Sequence, residues 1–438
     1  LERSGAALVL AGRCHECESV PFAGLDPVVD ALARRLAAVR LPTAEVAACA
    51  ALFPVLSNLS EGPYPDVEPT AEVRAAAFLG LRALLARAAG GRPLVLAIDD
   101  LHLARADTAA LLLDLLADAD DGLVLLAVAT CRNDLADSSE CLRELAARAA
   151  ARGQKLRERQ VAVRPLAADA CAALVRAYLG GEREAELERL VEESGGNAYL
   201  AESLARAAAG GPVRAVADLV RWRMEALAPE AQRLLATVAL SGRPLPQAVL
   251  LRAAGVASPR SAWQALRADS LVRVNGSRRW DTVEPFHDRI RDGVAAALAP
   301  AHKLELHRAL AQALEGEDHG APELRMRHWA AGGELRRAGD YAEQAAAEAE
   351  QALAFERAAS LFATAAEWSA EDEQRAALRL RQGRALMRAG RSAAAAEAYL
   401  DGAALDHGER RRDAERLAAE AWMAAGHVDR GLSILRPM

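Results

Sequence analysis

The sequence predicts an α/β domain built on a parallel sheet, continued by a long all-helical region. Three observations carry this. Up to about residue 165, apolar runs of strand length alternate with segments of helical apolar spacing, as parallel βαβ units require. One of those runs, Arg92-Pro93-Leu94-Val95-Leu96-Ala97-Ile98-Asp99-Asp100-Leu101-His102, ends abruptly in two carboxylates. From His302 onward everything is helical, alanine-rich and quasi-repetitive.

Composition agrees with such a layout. The chain has 438 residues, 52% hydrophobic and 26% charged, enough for several domains with sizeable cores. Aromatics are 4% and alanine is abundant, which favours close-packed helices over β-sandwiches. A formal net charge of -7 gives no global nucleic-acid signature. No apolar run reaches the roughly 18 residues of a membrane span. The first residues do not read as a signal peptide, and six scattered cysteines suit a reducing cytoplasm, so a cytoplasmic location is expected.

Taken in order, Leu8-Val9-Leu10-Ala11-Gly12-Arg13 is a short strand closed by Gly and Arg. Cys14-His15-Glu16-Cys17 holds one C-x-x-C, but without a second pair at zinc spacing it reads as a loop. Leu25 to Arg40 has helical spacing, and Gly62-Pro63-Tyr64-Pro65 makes a loop. Thr70 caps a helix that runs to Ala89 and stops at Gly90-Gly91. The Asp99-Asp100 strand follows. Its continuous apolar character reads as a buried parallel strand with acids at its carboxyl end, where open α/β sheets bind ligands. Carboxylates there suit Mg²⁺ held beside substrate phosphates. The alternative is an ordinary strand running into a helix whose N-terminus favours acids.

Asp107-Thr108 opens the next helix, and Leu123 to Thr130 reads as a second buried strand. It ends in Thr130-Cys131-Arg132-Asn133, where Arg132 is suited to sensing a terminal phosphate. Ser139 to Ala151 is helical, and Gln160-Val161-Ala162-Val163 looks like another strand. Ala168–Gly180 and Glu182–Ser194 form a helix pair, broken by Gly195-Gly196-Asn197-Ala198 before a helix through Ala209; Gly210-Gly211-Pro212 marks a boundary. Helices are expected at Ala217–Leu227, Pro229–Ser241, Gln247–Ala254 and Pro259–Asp269. A hairpin follows, with strands at Leu271–Val274 and Arg278–Asp281. Helices followed by a hairpin suggest a winged helix. Between Asp218 and Ala295 twelve arginines face eight acids, yet the presumed recognition helix offers only Arg260 and Arg267, so direct DNA binding is not expected. Beyond His302, Gly339-Asp340-Tyr341, Ala389-Gly390-Arg391 and Ala425-Gly426-His427 punctuate helix pairs in the manner of tetratricopeptide-like repeats.

In this order the chain resembles the signal-transduction ATPases with numerous domains, the regulatory branch of the AAA+ P-loop ATPases. Leu10-Ala11-Gly12-Arg13-Cys14 with Ser19-Val20-Pro21-Phe22 looks most like the group linked to serine/threonine kinases; the other group carries a LuxR-type DNA-binding domain. The resemblance implies a nucleotide-binding core over residues 1–165, a helical lid over 166–211, a winged helix over 212–300 and helical repeats over 301–438. The run at 92–102 looks like a Walker B motif. Asp99 would hold Mg²⁺, Asp100 would orient the attacking water, and Arg132 with Thr130 would report the terminal phosphate. Gly196 and Asn197 would lie against the adenine of ATP or ADP, in a turn where Ala198 replaces the usual proline. His287, in Phe286-His287-Asp288, would contact the β-phosphate. Implied partners are a protein or small-molecule inducer on the repeats and further copies of the chain in the ATP state. One part is missing. No Gly-Lys pair occurs in the sequence, whose only lysines are Lys155 and Lys303, so the G-x-x-x-x-G-K-[ST] phosphate loop is expected upstream of Leu1. The chain by itself is expected to bind ATP weakly. A repeat scaffold with a dead ATPase core is the blandest alternative.

Overall fold

A computed structural model describes residues 5–15, 22, 24–39, 41–60, 69–117, 122–153, 158–179, 184–210, 224–257, 259–275, 282–316 and 321–436. Cys17, the Gly62–Pro65 loop, Lys155, the Gly211-Pro212 boundary, most of the Ala217–Leu227 helix and the Arg278–Asp281 strand lie outside them. The chain divides into two compact units: Leu1–Leu156 with Asp318–Met438, and Arg157–Glu317.

Three parallel strands organise the first unit: β1 (Leu8–Arg13), β2 (Leu94–Asp99) and β3 (Leu125–Ala129), in the order β1-β2-β3. Their register sets Arg13 opposite Asp99, and Ile98 opposite Ala129. Helix α1 (Asp26–Leu36) starts with Pro in its first turn and ends with Arg34 and Arg35 against its negative pole. Next comes α2 (Thr43–Leu52), which the sequence reading passed over. Helix α3 (Ala71–Ala89) behaves as its sequence predicts. The Thr70 hydroxyl accepts from the Val73 N–H, and Gly90 closes the helix at φ 59°. After β2, α4 (Ala106–Leu115) is buried along nearly its whole length. The short α5 (Asn133–Ala136) precedes α6 (Glu140–Ala151), which Ser139 caps. Leu8, Leu10, Leu94, Leu96 and Ile98 form the core of the sheet with Leu32, Leu81, Leu85 and Leu111.

Two strand expectations need correction. The strand read over 123–130 exists, but it is not fully buried. In the described sheet β3 is an outer strand, with Leu126 57% and Val128 48% exposed. An apolar run reports that a strand can be buried, not which neighbours cover it. Gln160–Val163 forms no strand: the segment is irregular, with Val161 and Val163 exposed. Strand conformation needs a partner ladder, and no strand pairs with this segment among the described residues.

The second unit begins with α7 (Ala168–Leu179), α8 (Glu184–Ser194) and α9 (Ala198–Gly210), packed around Cys171, Val175, Leu190, Leu204 and Ala205. Helices α10 (Pro229–Leu240), α11 (Gln247–Ala254) and α12 (Pro259–Ala268) follow. They accompany a small antiparallel sheet of β4 (Leu245–Pro246), β5 (Val272–Asn275) and β6 (Thr282–Pro285), ordered β4-β6-β5. Helices α13 (Asp288–Ala297) and α14 (Pro300–Glu315) complete the unit. Arg252 on α11 donates to the Ala313 carbonyl of α14 at 2.9 Å.

Seven helices close the first unit: α15 (Pro322–Ala331), α16 (Leu335–Gln351), α17 (Phe355–Trp368), α18 (Asp372–Arg388), α19 (Ser392–Leu405), α20 (Gly408–Ala424) and α21 (Val428–Leu435). Small residues let them approach closely. A Cβ on Gly383 would sit 2.4 Å from the Tyr399 ring, and one on Gly431 would sit 2.6 Å from Met423. Arg381 on α18 pairs with Glu343 on α16, and Arg388 with Glu350, both at 2.6 Å. Those two pairs join the same two helices; one step along, Arg410 of α20 meets Glu373 of α18 at 2.5 Å, and a contact that recurs between every second helix is the mark of a stacked helical repeat.

The repeats meet the sheet-bearing part of this unit through buried charge. Glu356 on α17 takes Arg74 of α3 at 2.8 Å and Arg148 of α6 at 2.6 Å. Arg357 beside it pairs with Glu323 of α15. Arg105, just before α4, lies 3.5 Å from Glu140 and 4.0 Å from Glu323. Burial and the neighbouring Arg105 pull the Arg357 guanidinium down to about 9, so it stays charged at neutral pH.

Candidate functional site

At the carboxyl ends of β1, β2 and β3, four side chains converge. Asp99 is the last residue of β2, and Asp100 turns sharply into the left-handed region at φ 57°, ψ 39°. That conformation is uncommon for a residue with a Cβ, although Asp tolerates it better than most. Thr130, just past β3, holds it in place. The Thr130 hydroxyl donates to Asp99 Oδ1 at 2.5 Å and accepts from the Asp100 N–H at 2.9 Å. Its carbonyl also accepts from the Leu101 N–H at 2.9 Å. One threonine therefore aims the Asp99 carboxylate and holds the backbone of Asp100.

Arg13 supplies the counter-charge. It ends β1 opposite Asp99, and its Nε donates to Asp100 Oδ2 at 3.1 Å while lying 3.6 Å from Asp99 Oδ2. Sequence reasoning placed Arg13 at the end of a strand and stopped there. The signal that finds it is strand register, visible only once β1 is known to pair with β2. Gly12, the residue before it, lets the chain at Gly24 pass closely, since a Cβ there would lie 1.9 Å from the Gly24 carbonyl oxygen.

Arg132 lies near these residues in sequence but has its own partner. It forms a bidentate pair with Asp134, Nε to Oδ1 at 3.2 Å and Nη2 to Oδ2 at 2.7 Å. That pairing holds the Asp134 carboxyl below its usual range. The pair is exposed, so Arg132 exchanges partners at small cost.

Residues 1–128 match the family model of the AAA ATPase domain. The match spans β1 and β2 and nearly all of β3, and it includes Arg13, Asp99 and Asp100. Thr130 and Arg132 fall just beyond it. No curated protein matches the chain. Among solved structures, the chain is similar to a signal transduction ATPase with numerous domains from Pyrococcus horikoshii that carries a tetratricopeptide repeat sensor. The identity is 11%, the TM-score 0.45, and the alignment covers 99% of this chain and 71% of that one. That likeness is too distant to transfer function.

An AAA ATPase domain implies nucleotide binding, and the donor set fits the metal that accompanies it. Two carboxylates and a hydroxyl are all oxygen donors. Mg²⁺ characteristically takes one or two carboxylates and leaves its remaining positions to phosphate and water. Asp99 is the more open of the two acids, its side chain about half exposed, against 19% for Asp100. Asp99, the more open acid, would hold the ion with Thr130 beside it, which leaves Asp100 to the water. Among the described residues, no group of three or more His, Cys, Asp or Glu is placed to hold a metal.

The remaining predicted site residues belong to the second unit. Gly196 is required by its turn. It sits at φ +76°, a Cβ there would lie 2.7 Å from the Leu166 carbonyl oxygen, and its own carbonyl accepts from the Leu166 N–H at 2.8 Å. The Asn197 side chain accepts from the Leu200 N–H at 3.1 Å and so caps α9. His287, half-buried, stacks on Tyr199 of α9, with ring centroids 4.0 Å apart and planes within 4°.

Proposed function

We propose that this chain is the regulatory ATPase region of a multidomain signalling protein, an ATP/ADP-dependent switch. The observation that carries the reading is the aimed pair Asp99–Asp100 at the carboxyl end of a parallel sheet, inside the segment that matches an AAA ATPase domain. Asp99 and Thr130 bind the metal, which supplies charge neutralisation at the phosphates when bound. Asp100, held by Thr130 and Arg13, orients the attacking water. Arg132 exchanges Asp134 for the terminal phosphate.

In the second unit, α7–α9 are read as a helical lid carrying the Gly196–Asn197 turn, and α10–α12 with the small antiparallel sheet as a winged helix carrying His287; these residues are read as nucleotide contacts. The stacked helices α16–α21 are read as the sensor for a protein or small-molecule inducer, and self-association accompanies the ATP state. Exchange of ADP for ATP shifts the population between closed and open forms through the different contacts the two nucleotides make. The output is assigned to a serine/threonine kinase, on the Leu10–Cys14 and Ser19–Phe22 resemblance. Among the described residues, no helix is long and apolar enough to cross a membrane.

The phosphate loop is the open requirement, since no Gly-Lys pair occurs in these 438 residues. The test is ATP hydrolysis and nucleotide titration by the whole protein. Asp100→Asn should lower turnover by roughly 10²–10⁴-fold with binding retained, as loss of a positioned base does. Asp99→Asn should remove the Mg²⁺ dependence of binding. Unchanged hydrolysis and unchanged metal dependence in both variants would defeat the reading.

A further inference from the structure

We propose that Arg13 is an internal stand-in for the divalent cation: its guanidinium lies between Asp99 and Asp100, competes for the Asp99 carboxylate with the Mg²⁺ that Asp99 would hold, and so sets how readily the site accepts the metal. The inference rests on the nucleotide-switch reading above and adds a residue to it. Three observations carry it. First, β1 and β2 are parallel and in register through Arg13↔Asp99, so the two side chains leave the same face of the sheet at the same height. Second, the guanidinium spans both acids, 3.1 Å from Asp100 Oδ2 and 3.6 Å from Asp99 Oδ2. Third, the backbone around it is fixed. The Cys14 N–H donates to the Asp99 carbonyl at 2.9 Å, and Gly12 accepts the close passage of Gly24. Arg13 is delivered to the acids by the strand and not by a wandering loop.

Charge explains what this does. Two carboxylates on adjacent residues repel each other unless a cation lies between them. Arg13 provides that cation in the metal-free state and keeps Asp100 in its left-handed turn. A divalent ion entering the site meets a positive charge already in place and must displace it. Guanidinium cannot bind a metal, so the two states exclude each other at Asp99. Arg13 is thus a positioning residue, acting through the two acids.

The experiment titrates Mn²⁺, a spin-active substitute for Mg²⁺, into the full chain without nucleotide and reads free Mn²⁺ by electron paramagnetic resonance. Four proteins are compared: wild type, Arg13→Gln, Arg13→Lys and the double variant Arg13→Gln/Asp99→Asn. Removing one unit charge at contact distance should tighten Mn²⁺ binding by about fivefold to tenfold in Arg13→Gln. The conservative Arg13→Lys should return affinity towards wild type, and the double variant should lose the gain. A fold damaged by substitution would weaken binding in Arg13→Gln, the opposite direction. Equal affinity in wild type and Arg13→Gln, with Asp99-dependent binding in both, would overturn the role of Arg13 and leave the metal site standing. If no protein shows Asp99-dependent Mn²⁺ binding, the metal-site reading falls and the role of Arg13 falls with it.

Discussion

Thr130 and Asp107 are the residues on which single-side-chain physics is clearest. Thr130→Val keeps the shape and removes the hydroxyl, so Asp99 loses a donor and the Asp100 N–H loses its acceptor. A loss of about 1 kcal/mol is expected in urea denaturation, the modest value suited to an exposed hydrogen bond, with a larger effect on metal affinity. Asp107 is fully buried at the start of α4, where its Oδ2 accepts from the Phe22 N–H at 2.6 Å. Burial raises its carboxyl above the usual range, against the opposing pull of that N–H and of Arg357. The folded state therefore keeps the proton where the unfolded state releases it. Stability falls as pH rises above the ordinary carboxylate range, because a charge must then be held in the core. Asp107→Asn should flatten that fall in denaturation curves taken between pH 4 and 7; a slope equal to wild type would show that Asp107 is not its source. Asp99 and Asp100 were legible in the sequence because their signature is local. Arg13 was not, because its partners lie 86 and 87 positions away.

Local rules governed some elements and failed for others. Helix α3 has its Thr70 cap, its Glu72 in the first turn and its Gly90 stop where the sequence puts them. Thr70→Ala should cost about 1 kcal/mol, read as a lowered thermal midpoint. Gly196 is a turn residue of a stricter kind, with positive φ and backbone of residue 166 against it. Gly196→Ala should cost roughly 1–3 kcal/mol in the second unit, read by the same melt. The strand expected at Gln160–Val163 has the right residues and no partner ladder. Propensity describes one segment, whereas a strand is a property of two.

At the scale of the molecule, burial decides which ion pairs matter. Arg410 and Glu373 pair at the surface with side chains 65% and 74% exposed, and Arg410→Ala should change stability by no more than about 0.5 kcal/mol. Glu356 is buried between Arg74 and Arg148. Its removal leaves two guanidinium groups without their shared carboxylate, and Glu356→Ala should cost about 3–5 kcal/mol. Hydrogen exchange should report the loss at α17, α3 and α6 together, and protection lost at α17 alone would refute the coupling of repeats to core.

What depends on short-range periodicity and chemistry was legible in the residues: the alternation of strands and helices in the core, the acid pair ending β2, the Thr70 cap of α3, and the helical stack after His302. Tertiary structure alone decided which strand ends meet, which face of β3 stays open, that Arg13 neutralises the acids, and that α15 and α17 are bound to the core through Glu323, Glu356 and their arginines. The physical reason is range. Backbone propensity and hydrophobic period act over a few residues, while counter-charges and sheet partners are chosen among groups that only the folded chain brings within a few ångströms.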